Sequence, residues 1–207
     1  FVNEAAPYID IVNGMYRTHS DEEPCVPAYF IFDANYRKKY MCGPVLQMTP
    51  DFLIQKLFRQ GYMKKGETLD ELAQELGVDA EGLKESVAKN NAYAATGVDP
   101  DFHRGENIYD RYYGDDGVEP NPCLGPIGKA PYYAIEAFAG ELGTKGGLMV
   151  DERARVVTTA GEPIEGLYAI GNCSSAVMGR SYPGAGATIG PAATFGYVAA
   201  LDVMENG

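Results

Sequence analysis

The sequence predicts an α+β fold, and three observations carry that expectation. A short aromatic and β-branched run, Ala28-Tyr-Phe-Ile-Phe32, reads as a strand stopped by Asp33-Ala-Asn35. Residues 68–97 carry two helix start and stop signals in tandem. Beyond Gly143 the chain changes to short apolar runs between turn residues, closed by one last helix. The expected organisation is helices on a small sheet over residues 1–142, then a β-rich segment ending in a helix over residues 143–207.

Each element has its own signal. Residues 50–61 place Phe52, Leu53, Leu57 and Phe58 at helical spacing. Thr68-Leu-Asp-Glu71 is a capping box ahead of Leu72 and Leu76, and Gly77 ends that helix. Asp79 then caps a second helix reaching about Thr96, ended by Gly97, so the two form an αα-hairpin. Residues 99–131 lose any sustained period; Phe102, Tyr109, Tyr112 and Tyr113 are the expected anchors of an ordered surface excursion. Gly146-Gly-Leu-Met-Val150, Arg155-Val-Val157 and Leu167-Tyr-Ala-Ile170 read as short strands. The final helix is expected from Pro191 to about Met204, with proline at its first position.

Composition narrows the function classes. The 207 residues are 45% hydrophobic and 22% charged, enough for a substantial core. No apolar run approaches the roughly 18 residues of a membrane span. Phe1-Val-Asn-Glu4 lacks the basic and apolar regions of a signal peptide, and the opening reads as the interior of a larger protein. A net charge of −12 argues against a nucleic-acid partner, which needs a basic footprint. Cys25, Cys42, Cys123 and Cys173 have no metal-ligand spacing, and only His19 and His103 could join them. Reduced thiols in a cytoplasmic protein, with no metal, are the expectation. No basic neighbour in sequence suggests that Cys173 is activated.

The most informative stretch is Gly166-Leu-Tyr-Ala-Ile-Gly-Asn172, followed by Met178-Gly-Arg-Ser-Tyr182-Pro-Gly184-Ala-Gly186-Ala-Thr-Ile-Gly190-Pro191. An apolar strand runs through a glycine loop into a helix whose N-terminus offers N–H donors and partial positive charge. Residues 184–190 resemble a dinucleotide fingerprint, but the third glycine is one residue late. A βαβ unit with its ribose-binding acid cannot fit in the remainder. From glycine density alone two readings stand: a packing loop between strand and helix, or a loop presented to a cofactor ring or substrate.

Leu167-Tyr-Ala-Ile-Gly-Asn172 with Gly186-Ala-Thr-Ile-Gly-Pro-Ala resembles the C-terminal segment of the fumarate reductase and succinate dehydrogenase flavoprotein superfamily. Within it, Ser174-Ser-Ala-Val-Met-Gly-Arg-Ser-Tyr-Pro-Gly-Ala-Gly is most similar to the 3-ketosteroid dehydrogenases. Phe1-Val-Asn-Glu, Tyr29-Phe-Ile-Phe-Asp33, Asp99-Pro-Asp-Phe-His-Arg-Gly105 and Gly143-Thr-Lys-Gly-Gly147 extend the resemblance over nearly the whole chain. His103 departs from it, standing where a glycine is expected.

The resemblance implies a cap domain that binds a steroid (residues 1–142) and the returning part of an FAD-binding domain (residues 143–207). It implies that Tyr182 O–H and the Gly186 N–H bind the C3 oxygen of a 3-ketosteroid, stabilising an enolate. A tyrosine base takes the neighbouring proton; Tyr8 is the candidate, with Tyr16 behind it. A phenol near pKa 10 needs a helper for that task, and in the family the helper lies in the N-terminal half. For FAD, the resemblance points to Gly171 and Asn172 near the ribityl and pyrophosphate region. Thr188, Ile189 and Gly190 would meet the pyrimidine edge, and Thr144, Gly146 and Gly147 would line the isoalloxazine. No segment supplies the Rossmann glycine turn for the ADP portion, so the missing partner is the N-terminal Rossmann portion of the same enzyme.

Two other readings remain at this level. A fumarate-reductase-like enzyme acting on a small unsaturated acid is disfavoured by Tyr182 and by the absence of histidine from residues 142–147. Arg180 is then expected in a salt bridge. A non-catalytic module holding a hydrophobic ligand in a tyrosine-rich cleft is the third.

Overall fold

The computed structural model describes residues 1–206. Cα packing divides the chain into two compact units. One comprises residues 1–6 and 11–139, and the other residues 7–10 and 140–207.

In the first unit the elements are α1 (Tyr8–Arg17, its first turn counted with the second unit), β1 (Ala28–Phe32), α2 (Ala34–Lys39), α3 (Gln55–Arg59), β2 (Met63–Gly66), α4 (Leu69–Leu76), α5 (Ala80–Thr96), α6 (Ile108–Tyr112) and β3 (Tyr132–Ala137). β3 lies between β1 and β2 in an antiparallel sheet, pairing Phe32 with Tyr133 and Met63 with Ile135. Successive side chains alternate faces, and the core divides accordingly. Phe32, Met63 and Tyr133 pack with Cys42, Val45 and Ile54, whereas Ala134, Tyr29 and Ile31 meet Leu72 and Leu76.

The αα-hairpin matches its local signals. Thr68 Oγ1 accepts from the Glu71 N–H at 3.1 Å while the Glu71 carboxylate accepts from the Glu67 N–H at 2.8 Å. Asp79 accepts from the Gly82 N–H, and Gly77 and Gly97 close the two helices in the left-handed conformation. The expected helix at residues 50–61 is broken instead. A 3-10 turn at Asp51–Ile54 precedes the five-residue α3, leaving Phe52 and Leu53 exposed while Ile54 is buried.

Residues 99–131 are ordered by a different interaction from the one expected. Tyr112 and Tyr113 are exposed, and the buried side chains are Asp99, Arg104, Asp110 and Asn121 together with Leu124. Arg104 Nε donates to Asp99 at 2.6 Å and its Nη1 to Glu4 at 2.8 Å. Asn121 donates to the Gly97 and Arg104 carbonyls, and Asp110 accepts from Asn3 and the Gly105 N–H. Polar and charged pairing ties the start of the chain to this excursion, and of the expected aromatic anchors Phe102 and Tyr109 are half-buried, the Phe102 ring lying 5.8 Å from the Arg104 guanidinium. His103 sits at φ 57°, which explains why glycine is expected there.

The second unit holds the β4 (Arg155–Val157) and β5 (Pro163–Tyr168) hairpin and the long helix α7 (Ile189–Asn206). Of the expected strand at residues 146–150 only isolated bridges form, Leu148 with Ser174 and Val150 with Val156. β5 starts and ends earlier than the expected run at residues 167–170, because its pairing with β4 runs from Pro163 opposite Val157 to Tyr168 opposite Arg155. Asp202, buried on α7, accepts from Arg153 Nη1 and Tyr168 O–H, both at 2.8 Å, and from Asn206 at 3.0 Å. Those bonds, the Arg153 pair foremost, hold its carboxyl below the ordinary range.

Burial pushes the Asp99 carboxyl up, but its bonds from Arg104 and the Phe102 N–H outweigh that, and the net shift is downward. A carboxyl lowered by folding contributes stability that is present above about pH 4 and lost as pH falls through the folded value. Asp99→Asn removes the more buried of the two carboxylates paired with Arg104, leaving Glu4, and is expected to cost about 2 kcal/mol at pH 7. The difference from the wild type should shrink toward pH 3, as read from denaturant midpoints.

Candidate active site

Two backbone features position the site in the second unit. Residues 145–148 run alongside residues 173–176: the Leu148 N–H donates to Cys173 O, the Ser175 N–H to Leu148 O and the Ala176 N–H to Lys145 O. Gly147 permits this approach, because a Cβ there would lie 2.4 Å from the Ser174 carbonyl carbon. The second feature is the loop before α7, where Gly184 and Gly186 have φ of 130° and 89°. The space a Gly186 side chain would fill is open. Its backbone conformation, rather than crowding, calls for glycine.

α7 begins at Ile189, two residues ahead of the expected start, so Pro191 sits inside the first turn. Proline is tolerated there because first-turn N–H groups have no intrahelical acceptor. Among the described residues, the N–H groups of Gly186, Thr188 and Ile189 make no hydrogen bond, whereas Gly190 N–H is taken up by Gly186 O at 2.8 Å. Three donors are therefore available at the junction of loop and helix.

A cavity of about 360 Å³ lies beside this junction, with Thr144, Lys145, Gly171, Asn172 and Thr188 in its wall. Gly146, Gly147, Ile189 and Gly190 lie outside its lining, as do Tyr8, Tyr182 and Gly186. The two tyrosines form a second cluster: Tyr8 and Tyr182, from opposite ends of the sequence, meet with ring centroids 4.9 Å apart at 40°. Neither phenol O–H has a hydrogen-bond partner among the described residues. Lys145 joins the clusters, since it lines the cavity and its Nζ lies 5.0 Å from the Tyr182 ring centroid. Lys145 has little local signal in the sequence beyond its place between Thr144 and the Gly146-Gly147 pair. Tyr16 instead stacks edge-on with His19 in the first unit. Arg180 is exposed and makes no ion pair among the described residues, so the expected salt bridge is absent. Cys173 is exposed and unpaired with any other cysteine.

Residues 1–189 match the family model described as FAD binding domain. The chain belongs to that FAD-binding family. It is homologous to the 3-oxosteroid 1-dehydrogenases, with 46% identity to the Mycolicibacterium smegmatis enzyme over the whole chain and 37% of that relative. The 4-oxocyclohexanecarboxylate 2-dehydrogenase of Sinomonas cyclohexanicum is 43% identical over 96% of the chain and 34% of its own length. Among solved structures, the 3-ketosteroid Δ1-dehydrogenase of Sterolibacterium denitrificans, in complex with 1,4-androstadiene-3,17-dione, superposes with a TM-score of 0.89 at 49% identity. That match covers all of this chain and 37% of the solved one. The chain thus spans little more than a third of the length of the relatives it matches.

The two adjacent glycines should respond differently to a methyl group. Gly147→Ala forces backbone against backbone and is expected to lower stability by about 2 kcal/mol. Gly146→Ala meets no atom within 4 Å and should stay within about 0.5 kcal/mol of the wild type in thermal or denaturant melts.

Proposed function

We propose that this chain is the ketone-activating and flavin-facing portion of an FAD-dependent 3-ketosteroid dehydrogenase. The observation that carries the reading is the Tyr8–Tyr182 ring contact, which joins the two side chains the chemistry requires. In this reading residues 1–142 serve as the substrate cap and residues 143–207 as the C-terminal part of the FAD-binding domain. Residues 7–10 pack with the latter.

Tyr182 O–H and the Gly186 N–H donate to the C3 oxygen of the ketone and take up the negative charge that gathers there. Both donors are unpartnered here, and the open space over Gly186 leaves room for an oxygen to approach. The Tyr8 phenol oxygen takes the proton from the carbon beside the ketone, and its contact with Tyr182 keeps base and donor on one stretch of substrate. The Lys145 ammonium over the Tyr182 ring strengthens that phenol as a donor. When bound, FAD supplies the acceptor, at N5, for the hydride leaving the next carbon.

The residues fit a flavin. Thr188 and Ile189 N–H groups and the positive end of α7 suit an electron-rich pyrimidine edge, with Gly190 permitting close approach. Thr144, Gly171 and Asn172 in the cavity wall suit the ribityl side, and Gly146 and Gly147 shape the strand that borders the ring. The remaining cofactor contacts fall to the Rossmann portion of the same enzyme, our proposed partner. α7 supports that assignment: Ile189, Tyr197 and Met204 are each more than two-thirds exposed on a helix apolar on most sides, the pattern of a helix meant to be covered. The homology to the Sinomonas enzyme favours one variant of the reading, in which a smaller ring ketone is the substrate and the chemistry is unchanged.

In the flavin-loaded enzyme, Tyr182→Phe should lower kcat with a 3-ketosteroid by about 10²-fold or more, with a much smaller effect on steroid affinity. An unchanged kcat would leave only passive ligand binding. Lys145→Met is expected to reduce kcat about tenfold, without loss of flavin. Comparing kcat/KM for a 3-ketosteroid and for 4-oxocyclohexanecarboxylate decides between the two substrate classes.

A further inference from the structure

The first unit carries a surface that the dehydrogenase reading does not use. Within thirteen residues, Met41, Leu46, Met48, Phe52 and Leu53 are each 57–72% exposed. Single exposed apolar side chains are ordinary, but five on one short loop are not. The loop is built rather than loose. Cys42 and Val45 exchange backbone hydrogen bonds at 2.9 and 3.1 Å and, with Ile54, are buried in the core beneath. The guanidinium of buried Arg37 donates to the Leu46 and Thr49 carbonyls at 3.3 and 2.7 Å. Met48 holds φ at 59°, a costly backbone for a side chain so exposed.

The sequence that carries this loop is opposite in charge to the protein as a whole. Residues 34–66 contain seven Lys and Arg against one carboxylate, Asp51, in a chain of net charge −12. Lys38, Lys56 and Arg59 are exposed and, with Lys64, form no ion pair among the described residues. Lys39 and Lys65 are paired with Asp115 and with Asp51 and Glu67, but the unpaired cations on the elements flanking the loop, with its apolar tips, match the chemistry of an anionic bilayer surface, where tips enter the acyl boundary and cations meet headgroups. The exposed apolar helix α7 offers the contrast: residues 189–206 carry no Lys or Arg, as suits a protein interior.

We propose that the loop at residues 41–53, with Lys38, Lys56, Arg59 and Lys64, is a peripheral docking site for anionic membrane. The test is flotation of the purified chain with vesicles of phosphatidylcholine alone or with about 30% phosphatidylglycerol. Variants are Met48→Ser/Phe52→Ser and Lys38→Gln/Lys56→Gln, each checked for an unchanged melt. Anionic vesicles should float the wild type and zwitterionic ones should not. The lysine pair should cost about five-fold in binding per charge removed, and the apolar pair at least ten-fold. No flotation overturns the proposal. So does equal binding to both vesicles, or binding abolished by salt but indifferent to the apolar variants. Apolar variants that change only self-association would assign the surface to a second copy of the chain and overturn it equally. None of these outcomes bears on turnover.

Discussion

The candidate site depends on the placement of residues 7–10. They belong to the C-terminal unit, and the Tyr8–Tyr182 ring contact is the specific interaction at that place. A base candidate and a ketone donor must lie within one substrate's reach, and sequence separation works against that. The tilted ring contact gives the pair apolar contact while leaving both hydroxyls without a partner among the described residues, as the proposed role with a polar substrate requires.

Beneath that contact lies a backbone arrangement with little tolerance. The segment carrying Lys145 hydrogen-bonds along the segment carrying Ser174 and Ala176, at a separation only Gly147 allows. This places Lys145 over Tyr182 and in the cavity wall together. A few positive-φ glycines then deliver the chain to the start of α7 with N–H donors unspent. Neither phenol, cation nor helix terminus is unusual alone; the proposed function rests on finding them in one unit.

What the sequence made legible was local. Thr68 and Asp79 announce helices because a side chain three residues from an N–H acts without help from the rest of the fold. The Tyr182 to Gly190 loop was legible for the same reason, since glycine and proline constrain their own backbone. Met63-Lys-Lys-Gly66 shows no strand character, and its pairing is imposed by β3. Helix α1 had only a modest signal in Ile11, Val12 and Met15 and was passed over. Residues 99–131 are hard to read because Arg104, Asp110 and Asn121 find partners far away in sequence, Glu4, Asn3 and the Gly97 carbonyl. Lys145 went unseen because its partner ring lies 37 positions along the chain.

The central claim is that this chain holds one wall of a flavin site and that the other wall lies in the Rossmann portion. A visible-absorption titration of the purified chain with FAD, followed by a 3-ketosteroid, tests it most directly. The account predicts the spectrum of free flavin throughout, with a shifted flavin band appearing once the N-terminal portion is supplied. A shifted, steroid-responsive band from the chain alone would contradict it, because the cofactor would then be held without the second wall.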